Sequence, residues 1–212
     1  MTTTADTRHT RQRYNLIAPL YDLMEGWVEL LWYGRWRRRL WREVIGPRVL
    51  ELGVGTGKNF SHHPDHIDIT GIDISPGMLA RAHKRAQRLQ RRIPLLLMDA
   101  QHLEWPDNEF DEVVATFVFC SVPDPVQGLR EAYRVTKPGG RLLLLEHMLA
   151  KPRALARLMS WLDKPIHWLT GVHIARRTLD NVRAAGWEIE SVTSLSPADI
   201  FRMIIARKPV AA

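Results

Sequence analysis

Cysteine is nearly absent from this chain. Cys120 is the single cysteine among 212 residues, which excludes a disulfide framework and a metal site built on cysteines and suits a reducing compartment. The sequence also lacks an apolar run long and clean enough to span a bilayer. Residues 1–9 are polar and lack the apolar core of a secretory signal. We therefore expect a cytoplasmic protein whose residues 1–9 form a disordered tail.

Acidic residues are outnumbered by basic ones. The chain has 23 Asp and Glu against 30 Lys and Arg, and its net charge is +7. Such an excess indicates an anionic partner, either a membrane surface or nucleic acid, although simple solubility also accounts for it. Hydrophobic residues make up 45%, so the chain is expected to fold with a large core.

One stretch combines an apolar strand with a run of glycines. The segment 49–57 reads Val-Leu-Glu-Leu-Gly-Val-Gly-Thr-Gly, and Asp73 lies near the end of a second apolar run, 67–74. Glycines allow a ligand to approach the backbone, and an acid on the next strand can accept hydrogen bonds from both hydroxyls of a ribose. The pattern predicts a strand, a glycine loop, the start of a helix and a site for an adenosine-containing ligand.

The order of the glycines distinguishes among nucleotides. The pattern Glu51-x-Gly53-x-Gly55-x-Gly57 differs from the Gly-x-Gly-x-x-Gly of dinucleotide sites, and no Gly-Lys-Ser/Thr phosphate loop follows it. It resembles motif I of the class I S-adenosylmethionine (SAM) methyltransferases. The resemblance extends in the family's order over about residues 48–146. Its further segments are Asp73-Ile-Ser-Pro-Gly-Met78, Asp99-Ala-Gln101, Phe110-Asp111 and Val135-x-Lys-Pro-Gly-Gly140.

This resemblance implies a fold, a cofactor and a set of residues. The fold is α/β, a doubly wound, mostly parallel, seven-stranded sheet of the Rossmann-like class I methyltransferase type with an N-terminal helical lid. The cofactor is SAM. The residues implied to bind it are Tyr14, Glu51, Gly53, Gly55, Gly57, Asp73, Ile74, Met78, Asp99, Ala100, Gln101 and Phe117.

The alternation of apolar runs with helical segments supports the same fold. Strands are expected near 93–98, 113–118 and 141–145, with a closing hairpin at 188–195 and 200–206. Ser75-Pro76 and Asp124-Pro125 are each expected to start a helix. The basic face of the first of these helices is interpreted as solvated. Ligands in such sheets bind beyond the carboxyl ends of the strands.

Residues 1–45 are interpreted as a lid and membrane-contact segment, and 46–212 as the methyltransferase core. The pattern Tyr14-x-x-x-Ala-Pro19-x-Tyr21-Asp resembles the opening of quinone and phospholipid methyltransferases, and Pro19 is expected to break or kink the helix. Residues 27–42 are rich in Trp and Arg, which suits a lipid headgroup boundary. The alternative is a helix packed on the sheet with a solvated basic face. The two are compatible if one apolar stripe packs inward while Trp27 or Trp41 touches lipid.

An aromatic insert at about 151–175 is expected to recognise the methyl acceptor. With its flanks it resembles bacterial phosphatidylethanolamine N-methyltransferases and a group of membrane-associated thiol methyltransferases. The residues predicted to bind substrate are Trp161, Trp168, Arg176 and Arg177. The leading prediction is methylation of phosphatidylethanolamine, and of its mono- and dimethyl forms, towards phosphatidylcholine by a peripheral protein on the inner face of the membrane. The alternatives are a quinone-ring C-methyltransferase, a thiol or small-molecule methyltransferase, and a SAM-binding membrane protein without catalysis.

A phospholipid amine, like lysine with its pKa of about 10.4, is mostly protonated at neutral pH. Its lone pair must be freed by a base or by desolvation. His147 and His173 are the candidates for proton removal or headgroup binding. Tyr21 is expected to orient the amine through its hydroxyl, and Glu146 either to anchor the strand end or to attract the ammonium group. The histidines at 62, 63 and 66 are assigned to a surface loop and not to a metal site. No metal and no nucleic-acid partner are expected.

Overall fold

The computed structural model describes residues 4–210, and it describes the side chains of residues 6–18, 29, 31–168 and 170–210. Seven strands form one sheet in the order β3-β2-β1-β4-β5-β7-β6. The strands are β1 (Arg48–Leu52), β2 (Asp68–Asp73), β3 (Leu95–Leu97), β4 (Phe110–Thr116), β5 (Thr136–His147), β6 (Glu188–Ser194) and β7 (Phe201–Arg207). The first five are parallel, and β7 runs antiparallel between β5 and β6. The predicted seven-stranded, mostly parallel sheet is confirmed.

Six helices accompany the sheet. They are α1 (Thr4–Val28), α2 (Gly34–Arg42), α3 (Pro76–Arg88), α4 (Pro125–Val135), α5 (Arg153–Thr170) and α6 (Thr178–Ala184). The starts predicted for α3 and α4 are confirmed. Ser75 Oγ accepts a hydrogen bond from Met78 N at 3.2 Å, and the Asp124 carboxylate accepts one from Gln127 N at 3.0 Å. Helices α3 and α4 each begin with a proline, which has no backbone N–H that would need a hydrogen-bond partner at this position.

The continuous apolar run in β5 reflects burial on both faces of the sheet. Leu142 and Leu144 belong to a core that includes Val182 of α6. Leu143 and Leu145 belong to a second core on the opposite face, which includes residues of α2. Parallel strands covered by helices on both sides are apolar throughout, without alternation.

The N-terminal prediction needs two corrections. Residues 4–9 are helical, so the disordered tail predicted for 1–9 is wrong over this part. Helix α1 is also continuous across Pro19, so the break predicted there is wrong, whereas the alternative of a kink stays a prediction. A π-helical segment, Glu29–Tyr33, connects α1 to α2. A π-helical turn is rare and is found mainly at functional sites.

The connection between β1 and β2 also differs from the prediction. Residues 53–67 contain only the 3₁₀ turn Phe60–His62, and no α-helix starts after the glycines. The aromatic insert, in contrast, is ordered as helix α5. Gly171 ends it with a φ of +78°, a conformation that favours glycine, and donates its N–H to His167 O.

Candidate cofactor and acceptor site

A cavity lies at the carboxyl ends of β1, β2 and β4. This is the edge where ligands of doubly wound sheets bind. Nine residues predicted to bind cofactor line it: Tyr14, Gly53, Gly55, Asp73, Ile74, Met78, Asp99, Ala100 and Phe117. The other three, Glu51, Gly57 and Gln101, lie outside the lining. Residues of α1, of the glycine loop and of the segments that follow β2 and β4 are far apart in sequence but line the same cavity.

The glycine loop leaves room for a ligand. Gly53 and Gly55 have φ values of +61° and +56°, and a Cβ built on Gly55 meets no atom within 4 Å. A side chain at Gly55 would therefore extend into open space beside the cavity. Gly57 has a different task, since its Cβ would collide with the Phe60 ring at 2.5 Å. Gly57 allows the turn to close, whereas Gly55 keeps the surface of the cavity clear.

Asp73 holds the loop and faces the cavity. Its Oδ2 accepts a hydrogen bond from Gly55 N and its Oδ1 one from Ser75 N, both at 2.8 Å. Burial raises the pKa of Asp73 to about 6, although the backbone N–H donors act in the opposite direction. Each carboxylate oxygen retains a second lone pair, so the group can still accept the two hydroxyls of a ribose.

The third cofactor segment is fixed by Gln101. The amide of this buried side chain donates to the Asp99 carboxylate at 3.0 Å and to Thr7 Oγ1 at 3.2 Å, and its carbonyl accepts from Asp124 N at 2.9 Å. Gln101 thus ties α1 and the start of α4 to the loop that presents Asp99 and Ala100. Its position is one of support behind the cavity wall.

Glu51 belongs to a buried polar network. Its carboxylate accepts from Asn59 Nδ2 at 2.6 Å and contacts His63 Nε2 at 2.9 Å. Asn59 Oδ1 accepts from Arg37 Nη1 at 3.0 Å, and that nitrogen also donates to Thr116 Oγ1 at 2.7 Å.

His63 is 4% exposed, so its assignment to the surface is wrong. The part of the chain with described side chains holds no cluster of metal ligands.

Arg37 is the main cavity residue that the sequence reading missed. It is 5% exposed, lines the cavity, and forms an ion pair with Glu29 at 3.1 Å. The sequence reading assigned the arginines of this segment to the surface, either at a lipid headgroup boundary or on a solvated basic face. Trp41, considered for lipid contact, is also buried and packs on His63. Trp27 lies outside the residues whose side chains are described.

Helix α1 lies against the mouth of the cavity. Thr10 and Tyr14 contribute to the lining. Asn15 Oδ1 accepts from Gly77 N at 2.8 Å at the start of α3, and Arg13 donates to His167 O and Trp168 O at 2.9 and 2.7 Å at the end of α5. Helix α1 thus contacts the start of α3 and the end of α5 while it lines the cavity.

A buried carboxyl group lies behind the β4 end of the cavity. Glu146 Oε1 accepts hydrogen bonds from Val118 N and Phe119 N at 3.0 and 3.1 Å. Its Oε2 is buried and has no hydrogen-bond partner among the described residues. Burial raises the pKa of Glu146 to about 7, although the two N–H donors and Arg176 favour the charged form. Glu146 therefore exchanges its proton near neutral pH.

An aromatic cluster adjoins the cavity at Phe117. Tyr33 packs on Phe117 with 4.6 Å between ring centroids, and Phe201 contacts Tyr33, Trp36 and His147 at 5.1 to 5.6 Å. These five rings, all half-buried, form the aromatic cluster. Phe117 has a φ of +59°, an unusual conformation for a bulky residue and one that occurs at functional sites.

The other acceptor candidates lie outside the lining of the cavity. Burial lowers the pKa of His147, which keeps its ring neutral. His173 Nδ1 contacts Asp163 Oδ2 at 2.8 Å, and its ring stacks on His167. Arg176 is half-buried and donates to Val122 O at 2.9 Å, whereas Arg177 is exposed. The side chain of Tyr21 lies outside the described residues.

Trp161 and Trp168 point away from the protein. They are 75% and 78% exposed on α5. The sequence reading made them the wall of the acceptor pocket, but neither lines the cavity. Their exposure places them on an outer surface of the molecule.

Comparison with known proteins identifies the family. The methyltransferase domain family matches residues 50–144. A phosphatidylethanolamine N-methyltransferase from Cereibacter sphaeroides is 34% identical over 168 residues, which cover 75% of this chain and 79% of that enzyme. The chain belongs to the class I SAM-dependent methyltransferases, and its cofactor is SAM.

Other relatives act on a different acceptor. A demethylmenaquinone methyltransferase from Thermus thermophilus is 38% identical over 142 residues, and these cover 63% of each chain. Among solved structures, the cyclase SpnF has a TM-score of 0.79 at 23% identity and covers 95% of both chains. A SAM-dependent methyltransferase from Methanosarcina mazei has a TM-score of 0.63 at 25% identity and covers 77% of this chain and 93% of its own. A cyclase also has this fold, so the fold does not specify the reaction. The relatives are named for different methyl acceptors, so the acceptor of this chain must be inferred from its site.

The residues present fit the cofactor, and Asp73 provides a test. If Asp73 binds the ribose, Asp73→Ala removes two charge-assisted hydrogen bonds, worth about 1.5–3 kcal/mol each, and calorimetry should show SAM binding at least tenfold weaker. In the wild type, SAM affinity should also fall as the pH drops below about 6, because the carboxylate is then protonated. Asp73→Asn should bind weakly with no such pH dependence.

Asp68→Ala is the matched control, since this exposed carboxylate lies at the opposite end of the same strand. Unchanged SAM affinity in Asp73→Ala would contradict the assignment of Asp73 to the ribose.

Arg37 should support both stability and cofactor binding. Arg37→Met leaves the Asn59 oxygen without its partner and leaves the Glu29 carboxylate with Lys58, 3.8 Å away. Breaking a buried pair costs about 3–5 kcal/mol, and we expect the lower end of that range because Glu29 is partly exposed. At roughly 2–4 °C per kcal/mol, the melting temperature should fall by on the order of 10 °C, and SAM affinity should fall with it. The neighbouring exposed Arg39→Met should change neither. Equal melting curves for the two variants would show that the network is dispensable.

Proposed function

We propose that this methyltransferase N-methylates phosphatidylethanolamine, and its mono- and dimethyl forms towards phosphatidylcholine, at a membrane surface. The observation that carries the proposal is the aromatic cluster, which joins the cofactor cavity through Phe117. The similarity to the Cereibacter enzyme supports the same acceptor. Bound SAM would supply an electrophilic methyl group on a sulfonium, and the chain must position and deprotonate the acceptor.

The aromatic cluster suits a methylated ammonium group. Aromatic faces attract cations that have lost part of their water shell, and quaternary ammonium groups are recognised in this way. The Arg37 guanidinium already lies 5.1 Å from the centroid of the Phe117 ring. Tyr33 and Phe201 offer further rings beside it. Such a wall accommodates an amine that grows in bulk and ends as a fixed cation.

Two groups are suited to accept the amine proton. Glu146 has a pKa near neutrality, and His147 is kept neutral by burial. Glu146 contacts the backbone of Val118, a residue that lines the cavity. His147 packs against Phe201 of the aromatic cluster. We assign proton removal to this pair, with His173 as a further candidate from the sequence. Tyr21 keeps its predicted role of orienting the amine, and α1 is assigned as the lid.

Helix α5 offers a surface for the membrane. Leu158, Trp161 and Trp168 are all exposed, and their spacing of three and seven residues places them on one helix face. The exposed basic residues of the helix are Arg153, Arg157 and Lys164, and its only acid, Asp163, is engaged by His173. Tryptophan beside basic residues suits an anionic lipid interface.

No helix in the described part of the chain is long and apolar enough to cross a bilayer. We therefore propose peripheral attachment to the cytoplasmic face, through α5 and through the exposed Leu31 and Trp32 of the N-terminal segment. This proposal extends the sequence prediction, which placed lipid contact within residues 1–42 alone.

A second candidate function is methylation of a quinone ring. The demethylmenaquinone methyltransferases support it, because they match this chain as closely in identity as the Cereibacter enzyme does. An aromatic wall also stacks on a quinone. The two functions differ in charge, since only the lipid amine becomes a cation.

A side-by-side assay separates these acceptors. Labelled SAM would be supplied with vesicles of phosphatidylethanolamine, with a demethylated quinone or with a small thiol. We expect the label in mono-, di- and trimethylated lipid. Phe201→Leu should slow the last methylation more than the first by roughly twofold to thirtyfold, the equivalent of about 0.5–2 kcal/mol of cation–π attraction.

The control is Tyr133→Leu, which removes a ring that packs on Trp187 away from the cavity. Label found only in the quinone would overturn the phospholipid assignment and support the second candidate.

The membrane surface is tested by sedimentation with vesicles that contain phosphatidylglycerol. The double variant Trp161→Ser/Trp168→Ser should bind at least tenfold less, because each fully buried apolar side chain contributes on the order of 1.5–3 kcal/mol. Leu96→Ser/Val210→Ser removes exposed apolar side chains elsewhere and should bind like the wild type. Equal sedimentation of the two variants would remove α5 from the membrane contact.

A further inference from the structure

An open groove with basic walls lies between α2 and α3. Its volume is about 700 Å³, and the loop from β1 to β2 forms its floor. The cationic side chains that line it are Arg35, Arg38, Lys58, Arg85 and Arg88. A single carboxylate, that of Glu29, faces them.

The groove exists because the β1–β2 crossover has no α-helix. A connection between parallel strands usually contains a helix that covers the sheet. Here the crossover has only the 3₁₀ turn Phe60–His62. The space between α2 and α3 is therefore left open, with Ser61 and His62 at its base.

The positive charge in the groove is not balanced locally. Glu29 already pairs with Arg37 at 3.1 Å and with Lys58 at 3.8 Å. Arg35, Arg38 and Arg88 are exposed and form no ion pair with any side chain that the structure describes. Like charges along a concave surface focus their field and concentrate anions there.

His62 reports this field. Burial and the nearby Arg38 and Arg37 lower its pKa to about 4, so the ring is neutral at physiological pH and adds no charge. An anion held by the same arginines would offset their effect and raise that pKa. The pKa of the His62 ring therefore reports whether an anion is bound in the groove.

We propose that this groove is a phosphate-binding site. Guanidinium groups on facing helices can grip a phosphate monoester or diester through paired N–H donors. The phosphate has two sources to distinguish, the headgroup of an anionic phospholipid and a soluble phosphate ester. Lys58 borders both the groove and the cofactor cavity, so the bound anion lies beside the cofactor. The inference is independent of which molecule is methylated.

The test follows the His62 ring by NMR while inorganic phosphate or glycerol phosphate is added to the full chain. We expect a saturable shift and a rise in the pKa of His62. Arg38→Gln/Arg88→Gln removes one cation from each wall and should weaken the affinity at least tenfold. Arg39→Gln/Arg92→Gln removes the same charge from exposed positions outside the groove and should keep it.

A second arm measures sedimentation with phosphatidylcholine vesicles that contain or lack phosphatidylglycerol. A loss in the groove variant but not in its control, with no response to soluble phosphates, would support the site and identify its ligand as a lipid headgroup. A response to glycerol phosphate would support the site with a soluble ester. Equal binding by the two variants in both arms, or no saturable response in either arm, would overturn the proposal. Because these readouts measure binding, a failed methylation assay leaves them interpretable.

Discussion

The cofactor side of this protein depends on one buried carboxylate. Glu51 lies at 0% exposure in the central strand β1, where an unpaired charge would be very costly. Asn59 and His63 satisfy this carboxylate. Asn59 also accepts a hydrogen bond from Arg37, which connects the loop to α2. A helix after β1 would ordinarily hold such a loop by packing. Since that helix is missing, the hydrogen-bond network takes its place and fixes the turn that keeps Gly55 open to the cavity.

The sequence was a good guide where the signal was local. Apolar runs specified the strands, and Ser75 and Asp124 specified helix starts, because a cap needs only its next few residues. The glycines and Asp73 meet at one edge because parallel strands end together. Burial of Arg37 was not predictable in this way. The next two residues, Arg38 and Arg39, are solvated arginines, and what distinguishes Arg37 includes its contacts with Asn59 and Thr116, which are distant in the chain.

The aromatic cluster, which we propose as the acceptor side, could not be predicted in this way. Three of its five rings, Tyr33, Phe117 and Phe201, come from three separate segments. No spacing in the sequence connects them, so the aromatic residues that attracted attention were the conspicuous tryptophans of the insert. Those tryptophans proved to face outward. Likewise, the 3₁₀ turn in the crossover left a groove that a helix would have filled, and arginines interpreted as a solvated face line it.

Arg13 gives the molecule a mechanical linkage. Its guanidinium caps the last carbonyls of α5, including that of Trp168, while Tyr14 next to it lines the cofactor cavity. Any displacement of α1 that lets a nucleoside in or out must either break this cap or carry the end of α5 along. By reciprocity, whatever immobilises the outward face of α5 also changes the free energy of that displacement. If α5 binds a membrane and α1 acts as a lid, as we propose, then exchange of the nucleoside and attachment to lipid are energetically coupled through one side chain.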